Sequence, residues 1–227
     1  MPNAYLFDID GTIMKVKNRV NRRIIQNILV QFGITDINVS GLDFAGRTDR
    51  AIFSNLLPQP AAERYEEVKQ TYIEQLDANL EKSDIDVLSG VENCLQYLQR
   101  AGAWTGLLTG NFEKAAWIKV ARAGLDHLFT FGAFGDHFSD RNQLPPLALQ
   151  ALTEHSGNNF GSSELIIIGD TPRDIECAHS FGSISIAVST GSFSSEELRD
   201  CQPDFLLESL EAFPDWDRQF RNSANTM

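Results

Sequence analysis

Asp8 and Asp10 stand two residues apart in Phe7-Asp8-Ile9-Asp10-Gly11-Thr12, followed by a glycine that lets the backbone turn away sharply. A carboxylate can attack a phosphoryl group to form an aspartyl phosphate. A second carboxylate nearby can give a proton to the leaving oxygen and later take one from water. Two anions meeting an anionic substrate need a cation between them, so the pair predicts bound Mg²⁺, with Mn²⁺ suited to the same oxygen ligands. A plain turn with a helix cap accounts for the same residue types.

Two other clusters carry compatible chemistry. Thr109-Gly110-Asn111 precedes a helical pattern starting near Glu113 and offers a hydroxyl and backbone N–H groups to an anion, or simply a helix cap. In Gly169-Asp170-Thr171-Pro172-Arg173-Asp174, Pro172 favours the first turn of a helix, so Asp170 in the turn and Asp174 four residues on can face one cation. Asp8, Asp170 and a backbone oxygen at Asp10 would suffice for Mg²⁺. Acidic residues near a helix start also complement its dipole without any metal.

The elements that must position these clusters are legible as patterns. Ala4 to Phe7 is a short apolar run ending at Asp8, which predicts a buried strand. Between Val20 and Phe32, and again from Tyr65 to Leu80, apolar residues recur at helical spacing, so residues 17 to 83 read as all-helical. Beyond Ser83, helix and strand alternate: a helix over Val91 to Arg100, then strands at Trp104 to Leu108, Leu128 to Gly132, Leu165 to Ile168, Ile184 to Val188 and Asp204 to Leu206. That alternation predicts an α/β fold, a doubly wound Rossmann-like parallel sheet made of residues 1–16 and 84–227, with a small all-helical cap inserted over 17–83. All three clusters fall at carboxyl ends of strands, where such sheets collect ligands. The tail from Asn222 to Met227 is expected to fray.

Composition narrows the partners. A net charge of −12 over 227 residues opposes contact with nucleic acid or an anionic membrane, because both reward a basic face. Three widely spaced cysteines without CxxC predict neither a disulfide framework nor a zinc site, and suggest a reduced, cytoplasmic setting. No run approaches the roughly 18 apolar residues of a membrane span, and the first residues lack the basic head of a secretory signal. His127, His137, His155 and His179 show no metal spacing. Gly-x-Ser-x-Gly and Walker loops are absent, which removes serine-hydrolase and P-loop readings.

Taken together, Phe7-Asp8-Ile9-Asp10-Gly11-Thr12, Leu108-Thr109-Gly110-Asn111 and Gly169-Asp170-Thr171-Pro172-Arg173-Asp174 resemble the haloacid dehalogenase superfamily in its phosphatase branch, over nearly the whole chain. The resemblance implies Asp8 as nucleophile, Asp10 as acid/base, Thr109 as phosphate ligand with Gly110 and Asn111 beside it, and a Mg²⁺ site at Asp8, Asp10 and Asp170 supported by Asp174. The helical insert matches the family's small cap, and Gly46-Arg47-Thr48-Asp49 looks like its substrate loop, with Arg47 facing an anionic group such as a carboxylate and Thr48 beside it. The chain departs from the family in lacking a lysine after Lys119; Arg141, before a helix-opening proline, is expected to take that place. The implied substrate is a small anionic phosphorylated metabolite, phosphoglycolate among the first to try, taken by a monomer or weak dimer. A sugar-phosphate mutase and a catalytically weak phosphate-binding module are the alternatives on this scaffold.

Overall fold

A computed structural model describes residues 4–37, 39, 44–59 and 61–224. The chain opens with β1 (Ala4–Phe7) and β2 (Met14–Val16), followed by the helices α1 (Asn18–Gln31), α2 (Asp49–Leu56) and α3 (Tyr65–Asn79). It continues through β3 (Ile85–Val87), α4 (Val91–Arg100), β4 (Trp104–Thr109), α5 (Glu113–Ala123), β5 (Phe131–Phe134) and α6 (Leu144–Ser156). The last part is β6 (Leu165–Gly169), α7 (Pro172–Phe181), β7 (Ile184–Val188), α8 (Ser195–Asp200), β8 (Phe205–Leu207) and α9 (Phe213–Ala224).

Six strands form one parallel sheet in the order β5-β4-β1-β6-β7-β8. The chain runs outward from β1 in both directions, so β4 and β6 flank it and the crevice above their carboxyl ends is the switch point of the sheet. Alternate residues of the central strands enter two separate cores: Tyr5, Phe7, Ile166 and Ile168 in one, Leu6, Leu165 and Ile167 in the other. Both faces are covered, which explains the uninterrupted apolar run from Leu165 to Ile168.

The insert adds its apolar residues to the first of these cores: Ile24, Ile28, Phe53, Tyr72 and Leu76 are all buried there. Phe53 stacks on Phe112 at 5.8 Å between ring centroids, which ties α2 to the start of α5. Both passages between the insert and the rest of the chain run through an antiparallel pair, β2 with β3, in which Val16 faces Ile85. Sequence patterning did not anticipate that ribbon.

Two other elements differ from expectation. The fifth strand lies at Phe131–Phe134 and not at Leu128 to Gly132. Leu128 instead ends a 3-10 turn after the Gly124 cap of α5, and its carbonyl accepts the Thr105 hydroxyl at 2.6 Å. Asn222 to Ala224 continue α9, while the rest of the tail, 225–227, lies outside the described residues. No helix among the described residues is long and apolar enough to cross a membrane.

Candidate active site

The turn after β1 is built for close approach. Asp8 extends the ladder by donating its N–H to the Ile168 carbonyl at 2.9 Å, and the Ile9 carbonyl gathers the N–H groups of Thr12, Ile13 and Met14. Gly11 sits at φ +97°, and a Cβ there would lie 2.3 Å from Asp170 Oδ2. Glycine is therefore required both by backbone conformation and by the neighbouring carboxylate. A Cβ on Gly191 would come closer still to the same carboxylate, from another side. Thr12 completes this wall, its hydroxyl donating to Asp170 Oδ1 at 2.9 Å.

Asp170 follows β6, and Pro172 opens α7 as expected. Asp174 Oδ2 accepts the Thr171 N–H at 3.0 Å and the Thr171 hydroxyl at 2.7 Å, so one carboxylate oxygen closes the helix start. Its Oδ1 accepts Arg141 at 2.5 Å. The same guanidinium lies 3.0 Å from Asp8 Oδ1 and donates to the Leu108 carbonyl at 3.2 Å. Arg141 is only 5% exposed. It thereby joins the ends of β1 and β4 to α7. Its Nε is buried with no acceptor among the described residues.

Asp8, Asp170 and Asp174 present oxygens within 4.8 Å of one another, and all three are buried. Burial first of all raises the Asp8 carboxyl above the usual range; Arg141 opposes this, while Asp174 and Asp10 add to it. Asp170 is raised by burial, then by Asp8 and Asp174. One guanidinium does not balance three buried carboxylates, and the remaining negative charge suits a small hard cation with oxygen ligands. Asp8 and Asp170 are the members of the cluster whose oxygens could serve as ligands to such a cation. Asp174, with both oxygens engaged, supports the site through Arg141 and the helix start.

A second cluster stands on the β4 side. Thr109 is fully buried, and its hydroxyl oxygen accepts Asn111 Nδ2 at 3.0 Å. Asn111 also donates to Asp10 Oδ2 at 2.9 Å. Lys119, from the buried face of α5, reaches both Asp10 Oδ2 and Asn111 Oδ1 at 2.5 Å. A cavity of about 390 Å³ opens over these residues, lined by Asp8, Asp10, Gly110, Asn111, Arg141 and Asp170 on the sheet side. Arg47, Asp49, Phe53 and Tyr72 face it from the insert.

The loop at residues 46–49 lies directly on the turn after β4. The Asp49 N–H donates to the Gly110 carbonyl at 2.7 Å, and a Cβ on Gly110 would lie 2.2 Å from the Arg47 carbonyl. Arg47 lines the cavity and donates to the Ala51 carbonyl at 3.4 Å. Thr48 is placed differently: fully buried, it caps α2 by accepting the Ala51 N–H at 3.1 Å and donates to the Ser139 carbonyl at 3.2 Å. Asp49 accepts the Phe112 N–H at 2.8 Å, and its carboxyl is pushed up to about 6, mainly by burial and against the pull of Lys119.

Sequence reading gave no role to Lys119, and quoted Thr12 and Asp49 only as members of their motifs. A signal existed for Lys119, since it interrupts an apolar stripe of Ala115, Ala116, Val120 and Ala123 on α5. Asp49 lay inside the quoted loop, but an acidic residue in the first turn of a helix is ordinary and gave it no separate role.

A doubly wound parallel sheet interrupted after its first strand, with aspartates gathered at the carboxyl ends of β1 and β6, is an α/β fold with a carboxylate cluster at its switch point. The chain belongs to the haloacid dehalogenase-like hydrolase family, whose sequence pattern matches residues 5–188, and it is a phosphatase of that family. It is 25% identical over 209 residues to a phosphoglycolate phosphatase of Xanthomonas campestris pv. campestris (strain 8004), covering 91% of this chain and 92% of that one. Its fold is similar to that of a predicted phosphatase from Clostridium acetobutylicum, with a TM-score of 0.76 at 21% identity over 96% of this chain and 99% of the other. The fold of a β-phosphoglucomutase from Clostridium difficile is also similar, with a TM-score of 0.72 at 18% identity and full coverage of both chains.

Proposed function

We propose that this enzyme hydrolyses a small phosphomonoester through an aspartyl phosphate on Asp8, with Mg²⁺ as its metal. The observation that carries the reading is the convergence of Asp8, Asp170 and Asp174 on one buried point beside Arg141. Asp8 and Asp170, with the backbone oxygen of Asp10, would hold the metal. Bound there, Mg²⁺ would offset the negative charge between carboxylates and phosphate. Arg141 orients Asp8 and brings its positive charge beside the place where the phosphate would sit. Gly110 and Asn111, which line the cavity, supply further polar contacts to the phosphoryl group, and Thr109 braces Asn111 from behind. In the first half-reaction an Asp8 carboxylate oxygen bonds to phosphorus as the bond to the leaving oxygen breaks, and Asp10 gives that oxygen a proton. In the second, water bonds to phosphorus as Asp10 takes its proton, and the bond from phosphorus to the Asp8 oxygen breaks to release phosphate and the free carboxylate.

Residues 17–83 act as the cap, closing the cavity and excluding water. Arg47 meets a second anionic group on the substrate. Phosphoglycolate is the first substrate to test, supported by the phosphoglycolate phosphatase relatives and by Arg47 at the cavity wall. Its small size leaves part of the cavity unfilled, so larger phosphomonoesters belong in the same panel. Three free cysteines, two of them buried, suit a reducing, cytoplasmic setting.

The test is phosphate release across that panel with Mg²⁺ and with chelator. Turnover should require the metal, and Asp8→Asn should lower it by about 10⁴-fold or more. Metal-independent turnover, or turnover retained by Asp8→Asn, would refute the mechanism. Isomerised sugar phosphate in place of free phosphate would instead identify a mutase.

A further inference from the structure

Lys119 occupies an unusual place for an ammonium group. It is 2% exposed on the inner face of α5, where lysine is almost never found unless its charge is paired. Its Nζ is held by two acceptors, Asp10 Oδ2 and Asn111 Oδ1, both at 2.5 Å. Asn111 closes the triangle by donating to the same Asp10 Oδ2 at 2.9 Å, and it is itself braced on the Thr109 hydroxyl at 3.0 Å. Asp10 Oδ2 thus accepts two bonds from the β4–α5 side. The Asp10 side chain remains 39% exposed and lines the cavity, so Oδ1 is the oxygen turned toward a substrate.

We infer that Lys119 is the positioning residue of the acid/base aspartate: with Asn111 it grips Oδ2 and thereby aims Oδ1 of Asp10 at the leaving-group oxygen. The inference rests on the reading of Asp10 as acid/base in the proposed function. Lys119 exchanges no proton in this account. The Asp8–phosphorus bond forms, the bond from phosphorus to the leaving oxygen breaks, and the proton of Asp10 passes to that oxygen. Aim matters because misplacing a reacting group by about 1 Å costs on the order of 10²-fold in rate. A purely structural lysine, present only to neutralise a buried carboxylate and seat α5, would leave the same contacts but predict a different response.

The two roles separate by leaving group. An alkyl phosphomonoester needs a proton as its alkoxide departs, whereas 4-nitrophenyl phosphate departs as a stable anion and does not. The ratio kcat/KM reads the steps up to departure of the leaving group, so slow hydrolysis of the phosphoaspartate does not mask the contrast. In the full-length protein with saturating Mg²⁺, Lys119→Met should lower kcat/KM for an alkyl phosphate by about 10²-fold. The same change should cost 4-nitrophenyl phosphate less than about 3-fold, because no proton transfer is at stake. Lys119→Gln, which keeps a donor of similar reach, should give the same contrast with a smaller loss, and serves if the methionine unsettles the fold. In an Asp10→Asn background, Lys119→Met should cause no further loss with the alkyl phosphate.

Equal losses with both substrates, or additive losses in the Asp10→Asn background, overturn the inference. If Asp10→Asn itself leaves the alkyl phosphate rate intact, the acid/base reading of Asp10 fails, and the inference fails with it.

Discussion

At the residue scale, Arg141 carries the largest single consequence. The side chain is buried between Asp8 and Asp174, and those carboxylates raise its hold on its proton in spite of the burial that opposes it. Arg141→Met would strand two buried carboxylates, and loss of one partner from such a pair costs about 3–5 kcal/mol. Urea unfolding of the chelator-treated protein should show a loss of that size, and Arg141→Lys a smaller one, since an ammonium reaches fewer acceptors. A change below about 1 kcal/mol for the methionine variant would mean the carboxylates do not depend on the guanidinium. Arg141 was legible before the structure because an arginine precedes a helix-opening proline between two motifs. Thr48 was legible as part of a loop near the cavity, but its hydroxyl serves the start of α2. Sequence spacing does not distinguish a hydroxyl facing inward from one capping a helix.

At the element scale, α5 begins without a capping side chain of its own. Two carboxylates from elsewhere substitute: Asp49 of α2 accepts the Phe112 N–H, and Asp136, just after β5, accepts the Glu113 N–H at 2.7 Å. Asp136 also pairs with Lys69 of α3 at 2.6 Å, so a single side chain joins the helix start to the insert. Removing a cap costs about 1 kcal/mol, and an ion pair of this kind up to about 1 kcal/mol. Asp136→Ala should therefore lower unfolding free energy by about 1–2 kcal/mol, with Lys69→Met accounting for the smaller share in a double-mutant cycle.

The β7–β8 edge offers a pH readout. Burial raises the Asp204 carboxyl, but the Ser185 N–H and hydroxyl, both at 2.8 Å, and then His179 outweigh it, and the group is held below its ordinary value of 3.8. A carboxylate lowered by folding stabilises the fold fully above its unfolded value, and that contribution is lost as pH falls through the folded one. Ser185→Ala should thus lower stability at neutral pH and flatten the decline below about pH 4, as measured by urea midpoints across pH.

Pattern length explains what was legible among the elements. Leu165 to Ile168, a continuous apolar run, marked β6 to within one residue. The three-residue strands β2 (Met14–Val16) and β3 (Ile85–Val87) each hold a charged residue between two apolar ones and so form no apolar run, unlike the equally short β8. The fifth strand was displaced because Leu128 and Phe129 are as apolar as a strand yet bury themselves from a turn.

At the scale of the whole molecule, the active site is a local charge imbalance embedded in a stable sheet. Anything that binds the folded state alone stabilises it by mass action, about 2.7 kcal/mol at a ligand concentration near 100 Kd. With about 2–4 °C per kcal/mol for a chain of this size, Mg²⁺ should raise the melting temperature by about 5–10 °C over the chelated protein. Asp170→Asn should abolish that rise. It should also stabilise the metal-free protein at neutral pH, because folding raises the Asp170 carboxyl and so disfavours its ionised form. A metal-induced rise that survives Asp170→Asn would place the cation elsewhere.

The antiparallel pairing of Val16 with Ile85 has a meaning for how such a molecule is modified over time. The insert leaves and rejoins the sheet at adjacent points, so its two ends are separated by one strand spacing, about 5 Å. Segments of very different length could be exchanged there without moving β1 or β4, and a duplicated gene could acquire a new specificity by substitution within one cassette while its chemistry stayed in place. The seam is not free, since Phe112 packs against Phe53 and Tyr72 across it. An incoming segment would have to bring an aromatic or aliphatic surface to Phe112 and replace the partners that Asp49 and Lys69 now offer the start of α5, a compatibility test that any transplanted segment must meet.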